Sequence, residues 1–235
     1  MMSNEMSNEF QAGASEPYLR IMRERPELFH NGDANGIEVL TSPDKIKAAQ
    51  ESARNIRQKR GMDVSDLRVG VLASDPYMLI LRDAVRFIDG SLGLYNRIVE
   101  VPSVAVLPLL DGRPVLIRIF RHGLRDWCWE FPRGGRDRGE PSESSVRREL
   151  REEIGAEIRE LIALGDFTPG GSSLSIRADL YAAHIDGIGE PEHADNISEV
   201  RVVEVAECEA LIRSSQIIDG FSLALFLRAR LAGLV

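Results

Sequence analysis

Apolar positions along this chain change their period several times, and each change marks an element. In residues 142–154, Val146, Leu150 and Ile154 recur at i, i+4 and i+8, the spacing of one helix face. Pro141 suits a first helical turn because its missing N–H would be unpaired there, and Ser142 is a second possible start. Another helix is predicted from Ser42. Pro43 and Asp44 fall in its first turn, Ile46, Ala49, Ala53 and Ile56 form its stripe, and Gly61 stops it. Residues 18–29 predict a short helix interrupted at Pro26. From Leu67 the period becomes two. Residues 68–73, 77–87 and 94–101 read as strands rich in β-branched and aromatic side chains, with a turn at 89–93 between the last two. Asp111-Gly112 joins residues 104–110 to 113–120 as a hairpin, and Pro132 is suited to close a strand. Further strands are expected at 161–167, 178–185 and 200–205, and two helices at 206–213 and 220–231 end the pattern. Residues 1–16 are polar and read as a tail.

Composition narrows the class. At 235 residues the chain can build one compact domain with an appended segment. A formal net charge of −8 argues against a nucleic-acid-coating protein and gives no sign of an anionic membrane partner. Two cysteines are too few for a disulfide framework, and Cys128, between Trp127 and Trp129, reads as a buried reduced thiol. No apolar run is long enough to span a bilayer, and the amino terminus lacks the basic-then-apolar order of a secretory signal. A cytoplasmic protein is the expectation. The helix over 43–60 carries Lys45, Lys47, Arg54, Arg57, Lys59 and Arg60, which suit either nucleotide contact or a solvated basic face.

The chemistry concentrates in residues 134–156. On the helix predicted there, Glu149, Glu152 and Glu153 stand at i, i+3 and i+4, which gathers three carboxylates on one face. Like charges at that spacing oppose the helix unless something compensates them. Arg147, Arg148 and Arg151 do part of that, and a hard divalent cation, which takes oxygen ligands, does it better.

These residues resemble a known family. Gly134, Glu140, Arg148-Glu149-Leu150, Glu152-Glu153 and Gly155-Ala156 match the Nudix box at its spacing, with Ala156 where a larger aliphatic residue is usual. The resemblance implies an α/β fold, the Nudix α/β/α sandwich with a mixed sheet. A small antiparallel β domain and a helical N-terminal leader would precede it. In residue terms these are a tail at 1–16, the leader at 17–66, the β domain at 67–102 and the Nudix domain at 103–235. It also implies hydrolysis of a nucleoside diphosphate linked to another moiety. Mg2+ or Mn2+ would be held by Glu149, Glu152 and Glu153, helped by a backbone carbonyl at Arg133 or Gly134. Glu153, Glu199 and Arg148 are the expected catalytic set, with Arg148 orienting carboxylates, and Glu140 fixes the loop.

Several features point within the family to ADP-ribose pyrophosphatase-like enzymes. The small β domain is similar to one through which such proteins dimerise, so a homodimer is expected, with a small nucleotide as substrate. Trp129-x-Phe131-Pro132 leads into the glycine loop as it does in that branch. Arg121 is the candidate to fork onto a diphosphate, against a plain surface arginine. Trp127 is either a base-stacking or a core aromatic, and Glu130 sits near the metals. Pro169, Gly170 and Gly171 resemble a substrate loop, although the chain continues Ser172-Ser173-Leu174-Ser175 where those enzymes often carry an acid. A late loop offers Glu190, Glu192, Asp195 and Glu199 to activate water. Glu199 is chosen because it directly precedes a strand, and His193 is set aside because hard cations prefer oxygen. The rival readings are a nucleoside triphosphate sanitising hydrolase and a ligand-sensing module that hydrolyses nothing.

Overall fold

Where each part of the chain hides its apolar face determines the architecture. The computed structural model describes residues 13–32, 36–192 and 196–235. Most of the stretch read as a tail lies outside the described residues. Among those described, the chain forms five α-helices and two sheets, divided into two units. One unit takes the chain up to Glu100 together with Ser172–Ser175, and the other takes Val101–Gly171 and Ile176–Val235.

The first unit opens with α1 (Glu16–Glu24) and a 3-10 turn at Pro26–Phe29, so Pro26 ends one helical segment and begins another. Strand β1 (Glu38–Val39) precedes α2 (Pro43–Lys59), which starts where Ser42 and Pro43 predict. Ile46, Ala49 and Ala53 of α2 are buried, whereas Ile56 is exposed, so the stripe ends one turn early. Strands β2 (Gly70–Ser74), β3 (Met78–Arg86) and β4 (Leu92–Glu100) follow. β3 is central, pairing antiparallel with β1, β2 and β4. The core joins Tyr18 and Phe29 to Ile46, Ala49, Leu81 and Val99. Buried Asp83 accepts the Tyr18 hydroxyl and the Arg97 Nε at 2.6 Å, which satisfies a charge that burial would otherwise penalise.

The second unit contains β5 (Ser103–Leu110), β6 (Arg113–Arg121), β7 (Asp126–Glu130) and β8 (Arg133–Gly135). They lead into α3 (Ser142–Ile154), whose N-cap is Pro141, so the helix takes the second of its two possible starts. Then come β9 (Ile158–Phe167), β10 (Leu174–Ser175), β11 (Ala178–Ile185), β12 (Ile197–Val202), α4 (Val205–Arg213) and α5 (Gly220–Leu231). β10 belongs to the first unit's sheet, where it pairs parallel with β4. The second sheet runs β12-β6-β5-β11-β9, with β7 added beside β6 and β8 beside β5. It is mixed, because β11 lies parallel to β5 and antiparallel to β9. At the β5–β6 turn both Asp111 (φ 52°) and Gly112 (φ 77°) take positive φ, the geometry that a two-residue hairpin loop requires.

Each face of this sheet is covered. Val104, Val106, Val115, Ile117, Tyr181 and Ala183 meet the α3 stripe of Val146, Leu150 and Ile154. The alternate positions Ala105, Leu107, Leu109, Leu116, Leu180 and Ala182 are buried on the opposite face, where α5 lies against β5, β9 and β11 and α4 against β6. This is the α/β/α sandwich. No helix among the described residues is long and apolar enough to cross a membrane.

Gly155 ends α3 at φ 60°, and the Ala156 N–H returns to the Leu150 carbonyl at 3.1 Å. A Cβ at Gly155 would stand 2.5 Å from the Glu190 carbonyl oxygen, whereas one at Gly112 would meet nothing within 4 Å. Gly112→Ala is therefore expected to cost about 1 kcal/mol, from its positive φ alone. Gly155→Ala should cost at least about twice that, because backbone at 189–190 must also move. Thermal denaturation checks this as Tm losses of roughly 3 °C and 5 °C or more. Equal losses would mean that the 189–190 backbone yields freely.

A carboxylate cluster on the glycine-loop helix

Strand β8 and helix α3 create the site by meeting at a glycine. A Cβ on Gly134 would lie 2.1 Å from the Glu149 carboxylate, so only glycine lets that side chain lie against the loop backbone. β8 is held there by antiparallel pairing of Arg133 with Ala105 and Gly134 with Val104.

Arg148 ties the cluster to the loop. Its Nη1 donates to Glu149 Oε1 at 2.7 Å and to Glu152 Oε2 at 3.1 Å. Nε and Nη2 fork onto Glu140 at 3.2 and 3.1 Å, and Nη2 also reaches the Gly135 carbonyl at 2.7 Å. Glu140 further accepts from the Asp137 N–H and from Ser145 Oγ at 2.6 Å. The Arg148 bonds hold its carboxyl down to about 2.

The other two acids are pushed the opposite way. Glu149 is buried, and loss of solvent raises its pKa against the pull of Arg148. Glu153 is pushed up to about 8 by burial and then by the Glu149 charge. Arg121 and Arg133 only partly offset this, and the shielded Glu153 Oε2 accepts no hydrogen bond from the protein.

Among the described residues no three Asp, Glu, His or Cys side chains are gathered as a ready-made metal cage. Arg148 explains this, since its Nη1 fills the gap between Glu149 and Glu152 with a guanidinium. The donor set nevertheless fits a hard cation. It is all oxygen, Glu149 is held away from water, and the shielded Oε2 of Glu153 lacks a protein partner. Glu149, Glu152 and Glu153 would hold such an ion, with loop carbonyls at 133–134 close by.

Arg121 joins this neighbourhood through Glu130. Its Nε lies 3.0 and 2.9 Å from the two Glu130 oxygens, so most of the fork expected for substrate is already engaged. Glu199 and Trp127 go elsewhere. β12 starts at Ile197, three residues before the predicted strand, which places Glu199 inside it and opposite Arg118. Val200 and Val202 pack with the α3 core, so by strand alternation Glu199 faces away from α3. Trp127 lies on that same outer face, its ring 5.5 Å from Phe120 and 5.6 Å from the Arg118 guanidinium. Neither is brought to the carboxylates. Pro169, Gly170 and Gly171 form a turn beyond β9, and Glu190 and Glu192 lie on the loop crossing the end of α3. His193 and Asp195 lie outside the described residues.

A family model described as NUDIX domain matches residues 99–221, just over half of the chain. The chain belongs to the Nudix family. Its Nudix relatives include an RNA pyrophosphohydrolase of Campylobacter jejuni, 41% identical over 64 residues; that match covers 26% of this chain and 41% of the relative. An ADP-ribose pyrophosphatase of Mycobacterium tuberculosis is 29% identical over 149 residues, 61% of this chain and 72% of the relative. A crystal structure titled as an ADP compounds hydrolase shares the Nudix fold with a TM-score of 0.61 at 22% identity, over 71% of this chain and 91% of that one.

The acids of the Nudix box make a signed prediction about pH. Glu153 has an ordinary value of 4.5 when unfolded and about 8 when folded, so between these pH values the folded state binds more protons. Stability therefore falls as pH rises through that window, and Glu140, shifted oppositely, matters only in acid. In EDTA the wild-type Tm should drop by several degrees relative to Glu153→Gln between about pH 5 and pH 8. Mg2+ should return it at the upper end. Parallel Tm curves for the two proteins would show that Glu153 ionises freely.

Proposed function

We propose that this Nudix protein hydrolyses the diphosphate bond of a nucleoside diphosphate sugar, with ADP-ribose cleaved to AMP and ribose 5-phosphate, in the presence of Mg2+ or Mn2+. One observation carries the reading: Glu149, Glu152 and Glu153 share a face of α3 against Gly134, with Glu153 Oε2 buried and unpartnered. Divalent ions at these acids supply Lewis-acid polarisation of the phosphoryl oxygens and reverse the sign of an otherwise repulsive surface. Glu153, one of whose carboxylate oxygens has no protein donor, would accept a proton from the attacking water as the P–O bond to the leaving phosphate breaks. Arg148 holds Glu149 and Glu152 in register, and Glu140 holds Arg148 to the loop.

Support for the substrate comes from the ADP-ribose pyrophosphatase relative, whose match extends over 149 residues. The match to the RNA pyrophosphohydrolase covers less than half of that protein. We assign dimerisation to the sheet of the first unit, by the resemblance of residues 67–102 to the β domain of that branch.

Turnover of a nucleotide panel in Mg2+ tests the function. The panel holds ADP-ribose, other nucleoside diphosphate sugars, dinucleoside polyphosphates, deoxynucleoside triphosphates and a 5′-triphosphorylated oligoribonucleotide. Wild type should favour ADP-ribose and release AMP, and Glu153→Gln should lose roughly 10²-fold or more of that rate. Preference for a triphosphate would overturn the substrate assignment while keeping the carboxylate site. Binding without turnover across the panel would make the protein a sensor instead.

A further inference from the structure

We infer that the Arg133 side chain is a phosphate-binding residue of this site, with Glu130, Asp219 and Phe221 as the groups that position it. The inference rests on the diphosphate reading above and adds a residue to it, since that reading used only the backbone at this position.

Arg133 immediately precedes the glycine that lies against Glu149; by strand alternation its side chain leaves β8 on the other face, with Ala105 and toward α5, and its charge still reaches Glu153. Its guanidinium lies over the Phe221 ring at 4.7 Å, a stacked arrangement that restricts the plane of the fork. Nε stands 3.4 Å from Glu130 Oε2, and Nη2 stands 3.7 Å from Asp219 Oδ1. Both are long for charge-assisted bonds.

The lengths have a cause. Glu130 is fully buried and already bonded to Arg121, whose Nε and Nη2 take both of its oxygens at 3.0 Å or less. Asp219 caps α5, and its Oδ2 accepts the Ser222 N–H and hydroxyl, each at 2.9 Å. The Ser222 hydroxyl accepts in turn from the Phe131 N–H at 3.0 Å, which fixes the α5 cap to the strand end before Arg133. Glu130 is therefore committed to Arg121, while Asp219 gives Oδ2 to Ser222 and turns Oδ1 to Arg133 at 3.7 Å.

A guanidinium has five N–H donors, and among the described residues Arg133 makes these long ion pairs through two of its nitrogens. The side chain is 27% exposed, against 2% for Glu130, so it is open to an incoming group. A purely structural bridge from the glycine loop to α5 would be expected to close with short bonds, as Arg121 does with Glu130. Arg133 is instead stacked, restrained and held by long pairs alone, within reach of a cluster that a diphosphate would approach. A substrate phosphate would provide the missing acceptors.

Two measurements test this, with Arg133→Gln and Arg133→Lys beside wild type. In steady-state hydrolysis of ADP-ribose, Arg133→Gln should raise KM about tenfold or more while kcat changes much less, and Arg133→Lys should recover part of the loss. Calorimetric titration with inorganic pyrophosphate in Mg2+ should show affinity lost in Arg133→Gln by a similar factor, with the Mg2+ requirement and Tm unchanged. Unaltered KM and pyrophosphate affinity would overturn the inference. So would a lowered Tm and kcat with normal pyrophosphate binding, the pattern of a structural bridge. The titration separates this outcome from the parent reading. Wild type that binds pyrophosphate but cleaves no diphosphate sugar sinks the proposed activity, and the variants still decide Arg133. Wild type that binds no pyrophosphate sinks the phosphate site itself.

Discussion

The second unit depends on one close approach, the Glu149 carboxylate against the α-carbon of Gly134. Bringing a carboxylate that near to a backbone places a charge where water cannot fully solvate it, and desolvation duly raises the Glu149 pKa. Such a contact persists only if both partners are held from behind. β8 is held by its ladder to β5, and α3 by Val146, Leu150 and Ile154, which are wholly buried against the sheet. Arg148 then supplies the nearest positive charge and uses its remaining donors on Glu140 and the Gly135 carbonyl. The loop, the helix and the acids are thus one electrostatic object. Loss of any one member leaves another as an uncompensated charge.

That dependence explains why the local parts of the fold were legible and several site residues were not. α3, α2 and the Asp111-Gly112 hairpin are specified by periodicity, capping and turn chemistry within a few residues of one another. The two-residue strands β1 and β10 are too short to show alternation, and each exists only because a distant strand accepts it. The box carboxylates were legible because helical spacing alone puts them on one face.

Glu199 shows where one-dimensional reasoning stops. Its candidacy rested on adjacency to a strand beginning at residue 200, but β12 begins at Ile197 and shifts register between Ile197 and Glu199. In a strand the face of a residue is a matter of parity, and Glu199, one position from inward-packed Val200, lies on the face away from α3. Trp127 followed the same rule to the outer face, beside Phe120 and Arg118. Arg121, the candidate substrate contact, comes near the acids, yet its commitment to Glu130 is a pairing across two strands that no linear spacing announces. The Arg133–Asp219 pair, separated by most of the domain in sequence, left no signal at all.

The three acids of α3 are unequal in a way that bears on how the site works. Glu149 and Glu152 share a resident cation in Arg148, whereas Glu153 has a buried oxygen without a donor. A cation entering this cluster gains most at Glu153, where the protein offers least, and must compete with Arg148 at the other two. Binding energy and folding energy are therefore linked at one side chain, because whatever stabilises ionised Glu153 also stabilises the folded state. A helix that paired all three carboxylates equally would be more stable alone, but it would offer a cation no preferred place.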